Sequence, residues 1–176
     1  NGFKDNKGIQ TIALVGIGGA GKTTLARQYA DQTKASLVWE INAETGTSLI
    51  DSFENLASAL ATTEDDKQTL SRLQELKNSS EREKKLIEFV KERLRVHSDW
   101  LLIYDNVEKF TDIQKYFPLD PNTWGKGKII LTTRNNNIQN SNSINHIIHM
   151  GTLRKDQAFT LFAKIMNHGE GKKLTG

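Results

Sequence analysis

The fold of this chain is decided by the stretch Gly16-Ile17-Gly18-Gly19-Ala20-Gly21-Lys22-Thr23-Thr24. All but its last residue fit the spacing G-x-x-x-x-G-K-[ST]. An apolar run precedes the stretch at residues 11–15, and residues 23–34 follow it with apolar side chains at helical spacing. A strand, a glycine-rich turn and a helix start form the context in which this spacing has a physical role. The sequence therefore predicts a strand–turn–helix unit built around these glycines.

The predicted turn is suited to holding a chain of phosphates. Glycines let the backbone curl with its N–H groups facing inward, because no Cβ blocks the turn. We expect residues 19–22 to supply most of these donors, and the positive end of the following helix to add to their field. Lys22 is expected to reach the β- and γ-phosphates, Thr23 to coordinate Mg²⁺, and Thr24 to donate to the α-phosphate. The predicted nucleotide-binding residues are Gly16, Gly18, Gly19, Ala20, Gly21, Lys22, Thr23 and Thr24.

Composition limits the class of protein. The hydrophobic fraction of 36% and the charged fraction of 26% suit a globular domain, and 176 residues are enough for one sizeable core. The net charge of +3 is mild and the charged residues are interspersed, which argues against nucleic acid as a partner. The lack of cysteine excludes disulfides, cysteine-ligated zinc and thiol catalysis. That lack agrees with the cytoplasmic setting that we expect. No apolar run is long enough to cross a bilayer, so we expect no membrane partner.

Strand patterns alternate with helix patterns along the chain, which predicts an α/β fold with a parallel sheet. Strands are predicted at residues 11–15, 36–41, 100–104, 128–133 and 144–150, and helices at 23–34, 47–61, 65–77, 80–96, 110–116 and 155–166. Ser80 and Glu83 have the spacing of a capping box at the start of one helix. The predicted fold class is a P-loop NTPase, three layers of the form α/β/α around a five-stranded, mostly parallel sheet.

Two charged residues follow predicted strands directly. In such sheets ligands bind beyond the carboxyl ends of the strands. Asp105 follows the apolar run at 100–104, where a carboxylate can hold Mg²⁺ through its water shell; the alternative is an aspartate that caps the next turn. Arg134 follows the strand at 128–133, where a guanidinium can contact a γ-phosphate; the alternative is a surface arginine that ends a strand. The predicted catalytic residues are Lys22, Asp105 and Arg134, and the predicted metal ligands are Thr23 and Asp105.

The order of these motifs resembles the NB-ARC domains of the STAND class of signalling ATPases, which includes plant disease-resistance proteins, apoptosome scaffolds and bacterial relatives. The segment 127–134, which ends in Thr-Thr-Arg, is the most family-specific match. The resemblance covers nearly the whole chain. The similar stretches are residues 16–24, 38–43, 101–107, 127–134 and 150–162.

The resemblance implies a switch that binds ATP or ADP with Mg²⁺. In the family, ADP holds a closed form and ATP favours an open form that oligomerises, while slow hydrolysis resets the balance. The implied partners are the nucleotide, other domains of a parent protein and a nucleotide-dependent homo-oligomer. We expect residues 1–176 to be an excised nucleotide-binding domain, without the helical and winged-helix segments that follow it in the family.

The chain departs from the family at Asn106, where a second acidic residue is usual. An amide orients water but does not accept its proton near neutral pH, so hydrolysis is expected to be slow or absent. Glu108 is the nearest acidic substitute. One alternative function is a small-molecule or nucleotide kinase that uses the same loop, although the arginines of the 65–96 region show no lid signature. Another is an ATPase that acts on nucleic acid, against which the mild charge argues.

Overall fold

A five-stranded parallel sheet lies at the centre of the structure, a computed structural model that describes residues 8–18, 21–97, 99–140 and 142–168. The strands are β1 (Ile9–Val15), β2 (Leu37–Asn42), β3 (Trp100–Asp105), β4 (Gly127–Thr133) and β5 (His146–His149). The helices are α1 (Lys22–Gln32), α2 (Gly46–Leu60), α3 (Glu64–Gln74), α4 (Ser79–Val96), α5 (Phe110–Ile113), α6 (Pro121–Trp124) and α7 (Lys155–His168). Short 3₁₀ turns are present at Gln114–Tyr116, Asn136–Asn140 and Met150–Thr152.

The strand order is β2-β3-β4-β1-β5, and every pairing is parallel. The strand before the glycine-rich turn, β1, therefore lies beside β4, and β4 lies beside β3. The carboxyl ends of these three strands meet at one edge of the sheet, which is where ligands bind in open α/β sheets. The predicted α/β P-loop NTPase fold is confirmed.

Side-chain alternation along the strands divides the core between the two faces of the sheet. On one face, Ile12 and Leu14 of β1 pack with helices α1 and α7, and Tyr29 meets Phe162 edge to face with ring centroids 5.1 Å apart. On the other face, Ala13 and Val15 belong to the larger cluster under α2, α3 and α4. Both faces are covered, which explains why β3 is a nearly continuous apolar run and why β4 is buried at every residue except Lys128.

A glycine clamp fixes the end of β4 that is far from the carboxyl edge. A Cβ on Gly127 would lie 2.2 Å from Cδ2 of Trp100, so only glycine fits under that indole. The indole is held in turn, because Trp100 Nε1 donates to the Trp124 carbonyl at 3.0 Å. Trp100 is 1% exposed and cannot move away without opening the core. Gly127 and the Trp100 ring therefore set the position of β4 at that end.

Several boundaries differ from the sequence predictions. The capping box at Ser80 is wrong: α4 begins one residue earlier, and Asn78 is its N-cap, whose side chain accepts from the Glu81 N–H at 3.0 Å. Helix α3 ends at Gln74 rather than at residue 77, and the predicted 110–116 helix divides into α5 and a 3₁₀ turn. Among the described residues, no helix is long and apolar enough to cross a membrane.

Candidate functional site

The glycine-rich turn leaves β1 at the carboxyl edge and leads into α1. Gly16 N–H donates to the Thr133 carbonyl at 3.1 Å, which joins the start of the turn to the end of β4. Gly21 is the N-cap of α1 and has a φ of 86°, a left-handed conformation that favours glycine. The Gly21 carbonyl accepts from the Leu25 N–H at 2.9 Å, so the helical hydrogen-bond pattern begins in the first turn of α1. The turn therefore presents the N-terminus of α1 to the carboxyl edge of the sheet.

Lys22 folds back over this turn. Its Nζ donates to the carbonyls of Gly16 at 2.7 Å and Ile17 at 3.0 Å, and the residue is only 7% exposed. Burial lowers the pKa of Lys22, the nearby charge of Arg134 lowers it further, and Asp105 opposes both effects. The three charged residues predicted from separate motifs thus lie within electrostatic reach of one another.

The other loop positions differ in what the structure shows of them. Gly19 and Ala20, both predicted to bind nucleotide, lie outside the described residues. Gly18 is exposed at the rim of the turn. Thr23 is half-buried and points toward β3, whereas Thr24 is exposed on the first turn of α1. The structure therefore brings Thr23 to the predicted metal site and leaves Thr24 on the outer side.

Asp105 is the centre of a hydroxyl network. Its Oδ1 accepts from Thr23 Oγ1 at 2.7 Å and from Thr132 Oγ1 at 2.7 Å. Because Thr23 uses its hydrogen on Asp105, its oxygen lone pairs stay available to a cation. One carboxylate and one hydroxyl suit Mg²⁺, which usually takes few protein oxygens and completes its shell with phosphates and waters. Among the described residues, no group of three or more His, Cys, Asp and Glu side chains could hold a metal ion.

Asn106 has a conformation that explains its residue type. Its φ is 65°, in the left-handed region where asparagine and aspartate are tolerated better than most residues. Its N–H donates to Thr132 Oγ1 at 2.9 Å, and its Nδ2 approaches Asp105 Oδ2 at 3.4 Å. The side chain of Glu108, the substitute considered above, is exposed. At this edge Asn106 therefore contacts Asp105 rather than standing apart from it as a separate base.

Arg134 extends from β4 over the glycine-rich turn. A Cβ built on Gly18 would lie 3.7 Å from Arg134 Nη1, an ordinary van der Waals contact. The arginine is exposed, so its guanidinium is accessible from solvent. Asn135, the next residue, is held by hydrogen bonds to its neighbours. Its N–H donates to Thr133 Oγ1 at 2.9 Å, and its Nδ2 donates to the Glu108 carbonyl at 2.7 Å. Its Oδ1 accepts from the Asn137 N–H at 2.8 Å.

Three residues at this edge were not identified by the sequence motifs. Thr132 belongs to the Thr-Thr-Arg segment, and Asn135 directly follows it. The sequence signal for their role was the presence of two threonines in a buried strand. Lys155 begins α7, and its Cε would lie 3.7 Å from a Cβ on Gly21. No local pattern marks Lys155, because its closeness to the turn depends on how α7 packs beside α1.

Comparison with known proteins identifies the family of this chain. Residues 2–172 match the model of the NB-ARC domain family. A protein of Arabidopsis thaliana named for disease resistance is 27% identical over 169 residues, which cover 91% of this chain and 14% of that protein. A solved signal-transduction ATPase with numerous domains and a tetratricopeptide repeat sensor, from Pyrococcus horikoshii, matches with a TM-score of 0.45 and 14% identity over 93% of this chain and 27% of that one. The chain spans a minor part of the length of either protein.

Proposed function

Because the chain belongs to the NB-ARC domain family, whose members are nucleotide-binding signalling modules, we propose that it binds ATP and ADP and changes conformation according to which one it holds. One observation carries the proposal: Lys22, Asp105 and Arg134 come from three different elements and converge at the carboxyl edge of one sheet. Two cations and one carboxylate around a glycine-rich turn match the needs of a Mg²⁺-bound polyphosphate.

Each residue has a distinct part in the proposed site. Lys22 Nζ exchanges the Gly16 and Ile17 carbonyls for phosphate oxygens, and turn N–H groups donate to the same phosphates. Thr23 and Asp105 would hold Mg²⁺, which would supply positive charge to neutralise the phosphates.

The proposed switch depends on Arg134. A guanidinium over the turn adds affinity for a ligand that carries a γ-phosphate and adds little for one that lacks it. A ligand shifts a conformational equilibrium only by its differential affinity for the two states. We place this switch in the cytoplasm, where it controls the other domains of a longer parent protein and its nucleotide-dependent assembly into a homo-oligomer.

The proposed switch hydrolyses ATP slowly. Asn106 occupies the position from which a carboxylate would take a proton from water, and its amide does not serve as a base near neutral pH. Phosphoryl transfer then depends on positioning and charge neutralisation alone. Bound ATP would consequently be hydrolysed slowly, which suits a signalling state better than a metabolic reaction.

Titration calorimetry with MgADP tests the binding site. We expect Lys22→Ala to weaken binding about 100-fold, the effect of losing about two charge-assisted hydrogen bonds to phosphate. Lys34→Ala, which removes an exposed lysine just beyond α1, is the matched control and should leave affinity unchanged. Equal affinity of the Lys22 variant and the unaltered protein would remove the phosphate-loop assignment. Rapid phosphate transfer to an added small-molecule acceptor would favour a kinase over a switch.

A further inference from the structure

The hydroxyl of Thr132 occupies a position that strand formation does not explain. Thr132 lies near the carboxyl end of the central strand of the sheet and is 0% exposed. Valine would satisfy the same strand without bringing a polar group into the core, where an unpaired hydroxyl is costly. We propose that Thr132 is a positioning residue, which orients the Asp105 carboxylate for Mg²⁺ and connects that carboxylate to the strand that leads into Arg134. The inference rests on the proposed function and deepens it.

The direction of each hydrogen bond is fixed by chemistry. The main-chain N–H of Asn106 can only donate, so Thr132 Oγ1 accepts it at 2.9 Å. The hydroxyl hydrogen of Thr132 then goes to Asp105 Oδ1, 2.7 Å away. The hydroxyl thus holds the left-handed residue after β3 and the carboxylate at the end of β3 at the same time.

The network also distinguishes the two carboxylate oxygens of Asp105. Oδ1 takes two short hydrogen bonds, from Thr132 and Thr23, and both run at 2.7 Å. Within the described part of the chain, the contact given for Oδ2 is the long 3.4 Å approach of the Asn106 amide. Two fixed donors on one oxygen restrict rotation of the carboxylate and leave Oδ2 for the cation or its water shell.

The same hydroxyl couples the two halves of the site. Thr132 is two residues before Arg134 on one continuous backbone, and its carbonyl accepts from the Val107 N–H at 2.9 Å. The segment after Asp105 is therefore attached to β4 by the side chain and by the main chain of one residue. A displacement of the carboxylate is resisted by the strand that carries the guanidinium.

Calorimetry of ADP in excess MgCl₂ and in EDTA measures the contribution of Mg²⁺ directly. For Thr132→Val, we expect the enhancement of ADP affinity by Mg²⁺ to fall about tenfold, as for the loss of one hydrogen bond to a charged group. The ADP affinity of this variant in EDTA should stay within about twofold of that of the unaltered protein, since the proposed phosphate contacts of Lys22 and the turn are intact. Thr132→Ser keeps the hydroxyl and should restore the enhancement. Thr11→Val, at a 1% exposed threonine in β1 remote from Asp105, controls for the general cost of this substitution.

Three outcomes would overturn the inference while the proposed function still stands. The first is an unaltered enhancement of ADP affinity by Mg²⁺ in Thr132→Val. The second is a loss of this enhancement in Thr132→Ser that is as large as in Thr132→Val. If thermal melting shows that Thr132→Val does not fold, Thr132→Ala provides a smaller variant without the hydroxyl. The third outcome is that neither variant folds, which would mean that the hydroxyl is needed for folding rather than for the metal site. Failure of the unaltered protein to bind ADP would overturn the proposed function, and with it this inference.

Discussion

Replacement of Arg134 by alanine separates a γ-phosphate sensor from a general cation. The guanidinium lies above the turn, with Nη1 3.7 Å from the place of a Cβ on Gly18, and its charge lowers the pKa of Lys22. Its removal therefore has two consequences of opposite sign. A γ-phosphate loses a donor, while Lys22 is relieved of a repulsive neighbour and holds its proton more firmly.

The magnitude follows from the distance and the exposure. Opposite unit charges about 4 Å apart attract by about 4 kcal/mol at the effective dielectric of a protein surface. Arg134 is exposed, so water and salt reduce the gain to about 1.5–3 kcal/mol, or roughly 10- to 150-fold in ATP affinity. ADP lacks the γ-phosphate that would contact this donor, and the relief of Lys22 works in its favour, so its affinity should change by less than about threefold.

Titration calorimetry with ADP and with a non-hydrolysable ATP analogue, at constant free Mg²⁺, measures both effects. Arg134→Lys keeps the positive charge but lacks the planar guanidinium with its paired donors, so its loss of ATP-analogue affinity should be smaller than that of Arg134→Ala. Arg95→Ala is the control, because it removes an exposed arginine beside Gly125, which precedes the far end of β4. Equal fold-losses for the two nucleotides in Arg134→Ala would refute the sensor role.

Three further predictions test other parts of the structure. Asn106→Asp should raise single-turnover ATP hydrolysis, measured as phosphate release, by at least about tenfold, because aspartate tolerates the same φ and supplies a base; an unchanged rate would show that the amide does not limit hydrolysis. Gly127→Ala should lower the free energy of unfolding in urea by about 3 kcal/mol, since its Cβ would overlap the Trp100 ring, whereas Gly46→Ala, with nothing within 4 Å of its Cβ, should be neutral or slightly stabilising. Lys155→Ala should weaken MgADP about threefold in low salt and less in high salt, as expected for an exposed cation near the loop; a loss that salt does not alter would exclude an electrostatic contribution.

Local patterns predicted the elements that carry the site. The glycine-rich turn, the strand before Asp105 and the strand before Arg134 each have a signal within a few residues, and parallel topology brings their ends together. The start of α4 shows the limit of such signals. Asn78 and Ser80 both suit an N-cap, and the spacing of Ser80 and Glu83 favours the wrong one. In the structure Glu83 pairs with Lys115 and accepts from the Tyr116 hydroxyl instead of reaching back to its own helix.

The contacts that refine the site come from pairing between distant segments. Thr132 meets Asp105 only because β3 and β4 are neighbours in a particular register. Asn135 joins the end of β4 to the Glu108 carbonyl, although its Asn- and Ser-rich surroundings are typical of a solvated loop. Lys155 reaches the turn through the packing of α7. None of these distances is set by spacing along the chain, which explains why the motifs did not contain them.

The clamp at Gly127 changes how genetic data on such a chain are interpreted. Every residue of β4, from Gly127 to Thr133, pairs in register with β1, and the strand is about 20 Å long at the usual rise per residue. An error of packing under the Trp100 indole is therefore transmitted along a strand that bears Thr132 near its other end and leads into Arg134. A loss-of-signalling allele at Gly127 identifies no nucleotide contact. It would report that the alignment of Asp105 and Arg134, the proposed metal ligand and sensor, is specified in part at the opposite edge of the sheet.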